Sequence, residues 1–411
     1  MTKALEIPAS FGFVLPLCGW YVSAAAAMTT ALYWRLSGFY LFYFALLGAT
    51  APFLALYFDH LGFAPARIGE LVAIPMLMRC IAPNLWGWLG DRTGQRLRIV
   101  RFGAVCTFLS LALIFVDHSY AWLALVMAMH AFFWHAVLPQ FEVITLAHLG
   151  DQAARYSQVR VWGSVGFVLA VVGLGQLFES AGMGLYPTVL MVIIAGIVLS
   201  SFQVPEPASA PRGRATDADG FVTQLLKPTV LAFYTSVALM QLSHGPYYTF
   251  LSIHLESLGY ARGAIGMLWA LGVLAEIGVF MVMARVFTRF TVRQVLIASF
   301  LLAALRWLLL GTFANHLAVL LLAQLLHAAT FGSFHAAAIH FVQGHFGARQ
   351  QGQGQALYAA LAGLGGALGA VYSGHTWTAL GPEWTFALAS LAALLAAGVL
   401  AGVRCRAGVS A

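Results

Sequence analysis

Apolar residues run through this chain in long blocks rather than in the alternating or one-face patterns of a soluble domain. A helix needs about 20 such residues to cross a bilayer. Twelve blocks of that kind can be marked, at 35–58, 67–89, 99–116, 120–146, 157–179, 185–204, 228–253, 263–286, 294–313, 317–341, 354–377 and 383–403. The one long polar stretch, PEPASAPRGRATDADGFVTQLLK at 205–227, lies between the sixth and the seventh and reads as a cytoplasmic linker. The pattern therefore predicts an all-α membrane protein. Twelve transmembrane helices are expected in two pseudo-symmetric six-helix bundles, residues 28–204 and 228–411. Residues 1–27 fit poorly, because the block at 11–27 is short and contains Pro16. A signal-like leader or a thirteenth helix are the alternatives to the reading favoured here, an extension ahead of a start at Met28.

The two halves repeat. FLALYFDHLGFAPARIGELVA (53–73) aligns without gaps on FLSIHLESLGYARGAIGMLWA (250–270), with nine of 21 positions identical. Parallel halves of this kind are expected of a rocking secondary transporter, whose binding site lies between them.

Composition narrows the class. Only 9% of the 411 residues are charged, against about 25% in a soluble domain, and mean hydropathy is +0.85. With both bundle termini placed in the cytoplasm, the inside segments hold fifteen Lys and Arg, among them Arg92, Arg96, Arg155, Arg289 and Arg293, and the outside loops only Arg67 and Arg262. That asymmetry sets the topology. The net charge of +7 is spread singly between apolar blocks, which points away from nucleic acid. Neither lysine, Lys3 or Lys227, lies in a phosphate-binding loop, so the energy source is a gradient rather than a nucleotide. The four cysteines are far apart, and His335, His340 and His345 recur at a spacing that scatters them round a helix. No metal and no cofactor are expected.

Residues 87–96, GWLGDRTGQR, follow the second block. The glycines permit tight turning and close helix approach, and Asp91 is suited to helix-terminal amides or to an arginine. Asp91 and Arg92 are the candidate gating residues.

Charges inside a bilayer cost about 2.5–3.5 kcal/mol each on insertion scales and mark function by default. Arg160 opens the fifth block 18 residues after Glu142, across a short polar turn that would set the two side chains opposite one another. A snorkelling interfacial arginine is the alternative. Deeper in the second half lie Glu276, Arg306 and His327, which would make a proton relay or a static packing network. Arg79 sits near the middle of the second block with no evident partner. Tyr247 and Tyr248, with Phe39, Tyr40, Tyr43 and Phe44, are candidates for the wall of an aromatic cavity. His244 precedes Gly245-Pro246, which loosen the helix as substrate-binding helices often require.

The stretch at 87–96 looks like the signature of the major facilitator superfamily. RVWGSVGF (160–167), SHGPYYTFLSIHLESLGY (243–260), LWALGVLAE (268–276), ALRWLLLG (304–311) and LLHAATFGSFHAAA (325–338) together resemble its phenylpropionate permease family, from Leu36 to the last block. That family resembles lactose permease more distantly. The resemblance implies the major facilitator fold and proton-coupled uptake of an aromatic monocarboxylate through a bacterial inner membrane by a monomer that is not an enzyme. It implies Arg160 and Arg306 at the substrate, beside the candidates Tyr247, Tyr248 and His244 read above, and Glu276, His327 and Glu142 at the proton. One departure stands out: where lactose permease carries a glutamate three residues after the histidine, this chain has Thr330. A sugar or nucleoside symporter, and a transport-inactive sensor or intramembrane enzyme, are the competing expectations.

Overall fold

The computed structural model describes residues 29–207, 218–347 and 350–403. The N-terminal extension and most of the linker expected from the sequence therefore lie outside the described residues. The described chain is helical throughout. Its helices are α1 (Thr30–His60), α2 (Pro65–Thr93), α3 (Arg96–Ala112), α4 (Tyr120–Leu149), α5 (Tyr156–Ala181), α6 (Tyr186–Gln203), α7 (Ala218–Leu225), α8 (Pro228–Ser243), α9 (Gly245–Ser257), α10 (Arg262–Arg289), α11 (Val292–Phe313), α12 (Leu317–His327), α13 (Phe334–His345) and α14 (Gln351–Gly402).

Nine helical segments of the described residues are long and apolar enough to cross a membrane. Two of them are broken. Tyr120–Ala181 turns through a short 3-10 stretch at Gly150–Arg155, and α14 is interrupted at Gly381 (φ 86°), ahead of Pro382. The α8–α9 pair is a further apolar rod, interrupted at His244. Counting it as one crossing is what brings the total to the twelve expected from sequence.

The repeat seen in the sequence is a repeat of geometry. After α1, Gly62 (φ 83°) donates to Asp59 O at 2.8 Å, and Phe63 N reaches back to Phe58 O at 3.2 Å. After α9, Gly259 (φ 88°) donates to Glu256 O at 3.0 Å, and Tyr260 N reaches Leu255 O at 3.0 Å. Both are Schellman-type ends that need a residue without Cβ in the left-handed region. A second pair was not evident in the sequence. Gly182 (φ 82°) after α5 corresponds to Gly381 (φ 86°) in α14.

Two apolar cores follow this division. One gathers α1–α6 around Phe39, Phe53, Phe141 and Phe178, and the other gathers α8–α14 around Phe233, Trp269, Phe300 and Trp307. Each half ties its last helix to its third with an arginine. Arg101 donates to Val204 O at 2.9 Å, and Arg293 to Ala401 O at 2.7 Å and Val403 O at 3.0 Å. These bonds satisfy carbonyls that have no partner within their own helix.

The halves meet through backbone. A Cβ on Gly69 of α2 would collide with Ala370 O of α14, and one on Gly266 of α10 with Val171 O of α5. Gly374 likewise abuts Pro65–Ala66, and Gly175 abuts Arg262–Gly263. Polar contacts add to this at the same end of the bundle. Arg262 donates its backbone N–H to Glu179 Oε2 at 2.6 Å, and Glu70 Oε1 lies 3.6 Å from His375 Nε2. The seam is thus shut at the end that carries the turns at Gly62, Gly182, Gly259 and Gly381.

Candidate functional site

Arg306 is wholly buried in α11, and no carboxylate is among its hydrogen-bond partners in the described residues. Its Nε donates to Ala323 O at 2.7 Å, Nη1 to Thr330 Oγ1 at 3.1 Å and to His327 Nδ1 at 3.2 Å, and Nη2 to Gln324 Oε1 at 3.3 Å. Its guanidinium carbon lies 4.1 Å from the centre of the Tyr247 ring and 4.8 Å from that of Trp307. Neutral dipoles and π faces thus hold a charge that would otherwise be very costly in the bilayer. A π-helical turn, Ala328–Ser333, follows α12 directly and puts Thr330 within reach of the same Nη1 that meets His327. Such turns recur at functional sites. Thr330, the point of departure from lactose permease, is therefore a neutral ligand of Arg306.

The histidine passes the contact on. His327 Nε2 lies 3.7 Å from Glu276 Oε2, whose side chain retains 16% of its exposure. The imidazole stacks between Tyr247 (5.5 Å, 22°) and Phe331 (5.3 Å, 8°). The structure thus sets the imidazole between the two charges, whereas the sequence reading put the arginine beside the carboxylate.

Arg160 and Glu142 do not form the ion pair expected across the α4–α5 turn. Glu142 Oε1 instead accepts from Tyr156 Oη at 3.2 Å. The Arg160 guanidinium lies 3.8 Å over the Phe44 ring and 5.7 Å from that of Tyr40, with no hydrogen-bond partner among the described residues. A side chain at position 163 would meet both Arg160 Nη1 and Phe44, so Gly163 makes this placement possible. The charge of Arg160 acts both on Glu142 and, across the seam, on Glu276.

Tyr247 is packed away rather than presented. Its hydroxyl donates to Gln324 Oε1 at 3.0 Å and its ring lies against Arg306. Tyr248 is half-buried and faces Phe331 and Trp269. His244 donates from Nδ1 to Met240 O at 2.8 Å, which leaves Nε2 a buried acceptor with no partner. Phe39 and Tyr40 are core residues: Phe39 stacks on Phe141 at 3.6 Å and Tyr40 donates to Thr145.

In the 87–96 stretch, Asp91 pairs with Arg96 rather than with its neighbour. Arg96 is held in turn by Gln140 of α4, for which Gly90 leaves room. Arg92 lies 5.3 Å from the Trp88 ring and takes no part. The partners that sequence reasoning missed are Gln324, Gln140 and Tyr156. The two glutamines carried a signal, each being a lone amide in an apolar block close to a singled-out residue.

An apolar groove of about 440 Å³ between α1, α5 and α6 has Thr188 as its only polar lining residue. It offers nothing to orient a charged ligand.

Comparison with known proteins agrees with this picture. The sequence model of the MFS_1 like family matches residues 33–388. The probable 3-phenylpropionic acid transporter of Escherichia coli K12 is 28% identical over 374 residues, covering 88% of this chain and 96% of its own. The maltose permease of Geobacillus stearothermophilus is 24% identical over 66% of this chain and 68% of its own. Among solved structures, the D323A mutant of the nucleoside transporter NupG superposes with a TM-score of 0.80 at 17% identity, over 90% of this chain and 99% of that one. That likeness establishes the fold alone.

Proposed function

The chain belongs to the MFS_1-like family, a multi-pass transporter of the major facilitator type, and on that premise we propose that it takes up an aromatic monocarboxylate together with a proton. Uptake runs by alternating access across a bacterial inner membrane. The observation that carries this reading is the placement of Arg160 and Glu276 on opposite halves, within electrostatic reach and unpaired by any hydrogen bond to each other. A cation and a carboxylate so placed can each find a new partner when the halves rock, Glu276 a proton and Arg160 an anion. Aromatic side chains on both sides, Phe44 and Tyr43 opposite Tyr248 and Phe331, suit a ring-bearing cargo. The likeness to a phenylpropionate transporter over nearly the full length of both chains supports the substrate class.

Roles follow from occupancy. Arg160 has donors to spare and meets the cargo carboxylate. Arg306 has committed four of its five donors, so it acts as a fixed positive charge that orients His327. Glu276 carries the proton, His327 senses its ionisation through the Nε2–H that faces it, and Glu142 holds Tyr156 behind Arg160. Tyr248 and the free acceptor of His244 contact the cargo more directly than Tyr247 does. The charge distribution of the loops supports an orientation with the shut end of the seam outside. Residues 28–204 and 228–411 are the rocking bodies, and Asp91 with Arg96 steadies the inner end of the first.

Counterflow in proteoliposomes tests the substrate class. Radiolabelled 3-phenylpropionate should exchange and should be displaced by other aromatic acids, but not by maltose or uridine. Exchange of the sugar or nucleoside alone would replace the reading with the competing one. Binding without any exchange would point to a sensor.

A further inference from the structure

Arg79 belongs to none of the clusters described so far. It lies about 14 residues into α2, near mid-span, at roughly 1.5 Å of rise per residue. It is exposed and has neither a hydrogen bond nor an ion pair among the described residues. The direction in which it points decides what that exposure means. The exposed apolar stripe of α2 is Leu77, Ile81, Leu85 and Trp88. At about 100° per residue, Arg79 falls on the opposite side of the helix from this stripe. Contacts on either side bracket this direction: Pro75 O accepts from His135 Nε2 of α4 at 3.2 Å, and Cys80, about 100° further round, donates from Sγ to Ala360 O of α14 at 3.2 Å. Arg79 therefore points between α4 and α14, into the space between the halves.

Besides Cys80 of its own helix, the titratable groups within reach of its charge come from five other helices: Tyr43 of α1, His135 of α4, Tyr248 of α9, His335 of α13 and Tyr358 of α14. None is a carboxylate. They form an aromatic and imidazole enclosure, with His335 and Tyr358 hydrogen-bonded at 2.9 Å and Tyr43 against Trp134 at 5.6 Å. The three membrane arginines thus differ in kind. Arg306 spends four of its five N–H donors on neutral groups, Arg160 lies within reach of Glu142 and Glu276, and Arg79 is accessible and uncompensated. Tyr43 lies within reach of the charges of Glu142, Arg79 and Arg160.

We infer that Arg79 is a principal anchor for the cargo carboxylate, seating an organic monoanion beside Tyr43 with its aromatic body among Tyr248, His335 and Tyr358. A guanidinium presents paired N–H donors that match a carboxylate, and the absent counter-ion is then supplied by the cargo itself. This inference rests on the reading of the protein as a carboxylate transporter.

The test compares 3-phenylpropionate with its neutral isostere 3-phenylpropanamide, by scintillation-proximity competition and counterflow on the purified full chain. Wild type should prefer the acid, and Arg79→Gln should lose about 10- to 100-fold in acid affinity, the range of a charged hydrogen-bonded contact. Its affinity for the amide should change little, so the acid-to-amide ratio collapses. A role confined to packing would weaken both ligands alike and overturn the inference. Arg79→Gln that keeps the wild-type ratio would also overturn it, while leaving the function standing. Wild type that exchanges no carboxylate at all would sink the functional reading and this inference together. Should Arg79→Gln fail to fold, arginine modification of wild type by phenylglyoxal, read by mass spectrometry, decides: saturating 3-phenylpropionate should protect Arg79, and equal labelling with and without it would overturn the inference.

Discussion

Arg306 donates through Nη1 to Nδ1 of His327 at 3.2 Å, and this one contact fixes the imidazole's tautomer. A guanidinium has no acceptor, so Nδ1 must accept and the ring proton sits on Nε2. Nε2 is the nitrogen that faces Glu276 Oε2 at 3.7 Å. A neutral histidine thereby offers its N–H toward a carboxylate that stands at the edge of the space between the halves. Shortening that gap would stabilise ionised Glu276, and lengthening it would favour the protonated acid.

Glu276→Gln should therefore separate transport from coupling. The amide imitates the protonated acid and cannot release a proton. Uptake driven by a pH gradient should fall by about tenfold or more, the scale of a lost charged contact, while counterflow stays within a factor of about three. Loss of both activities together would remove Glu276 from the proton path.

Arg306→Ala should act on stability before it acts on cargo. It strips a donor from His327, Thr330, Gln324 and Ala323 O and removes the cation between Tyr247 and Trp307. Buried groups left without partners cost about 1–3 kcal/mol each. A clear drop in melting temperature in detergent is expected, larger than for Arg160→Ala, whose guanidinium makes no hydrogen bond.

Gly266→Leu should slow the transport cycle. The added side chain has no room beside Val171 O, so the shut end of the seam must part. Overpacking costs about 1–3 kcal/mol, enough to shift a two-state equilibrium by about 10- to 100-fold. Counterflow rate should fall accordingly with cargo binding retained, and Gly69→Leu should do the same from the symmetric side.

Asp91→Asn and Arg96→Gln should each lower the transport rate, whereas Arg92→Gln should leave it within about twofold, as for a surface change away from any contact. The ranking separates Arg96, the partner seen in the fold, from Arg92, the gating candidate named from the sequence.

Which features were legible in the chain follows from their range. Apolar blocks and the Leu61-Gly62/Leu258-Gly259 repeat are local, and they announced the helical halves and the turns between them. The Gly182/Gly381 repeat escaped notice because only backbone conformation is shared there. The inner charges were picked out singly, since an arginine or glutamate in a bilayer stands out whatever it touches. Their partners were not, because pairing depends on helix rotation and tilt. Hence Glu142 was matched with Arg160 on sequence spacing, whereas Tyr156, four residues before Arg160, takes its oxygen. Arg306 was expected beside a carboxylate, yet its ligands are a carbonyl, a hydroxyl, an amide and an imidazole. Arg79 was visible but unexplained, because its surroundings come from five helices far apart in the chain.

The energetics of uptake probe most directly whether cargo and proton share this seam. One monoanion moving with one proton carries no net charge, although an unbalanced charge would feel about 2.3 kcal/mol per 100 mV. Proteoliposomes should accumulate 3-phenylpropionate when the outside is made acidic, and should do so equally with the membrane potential clamped to zero. Accumulation driven by potential at zero pH gradient, or indifferent to the pH gradient, would contradict the account.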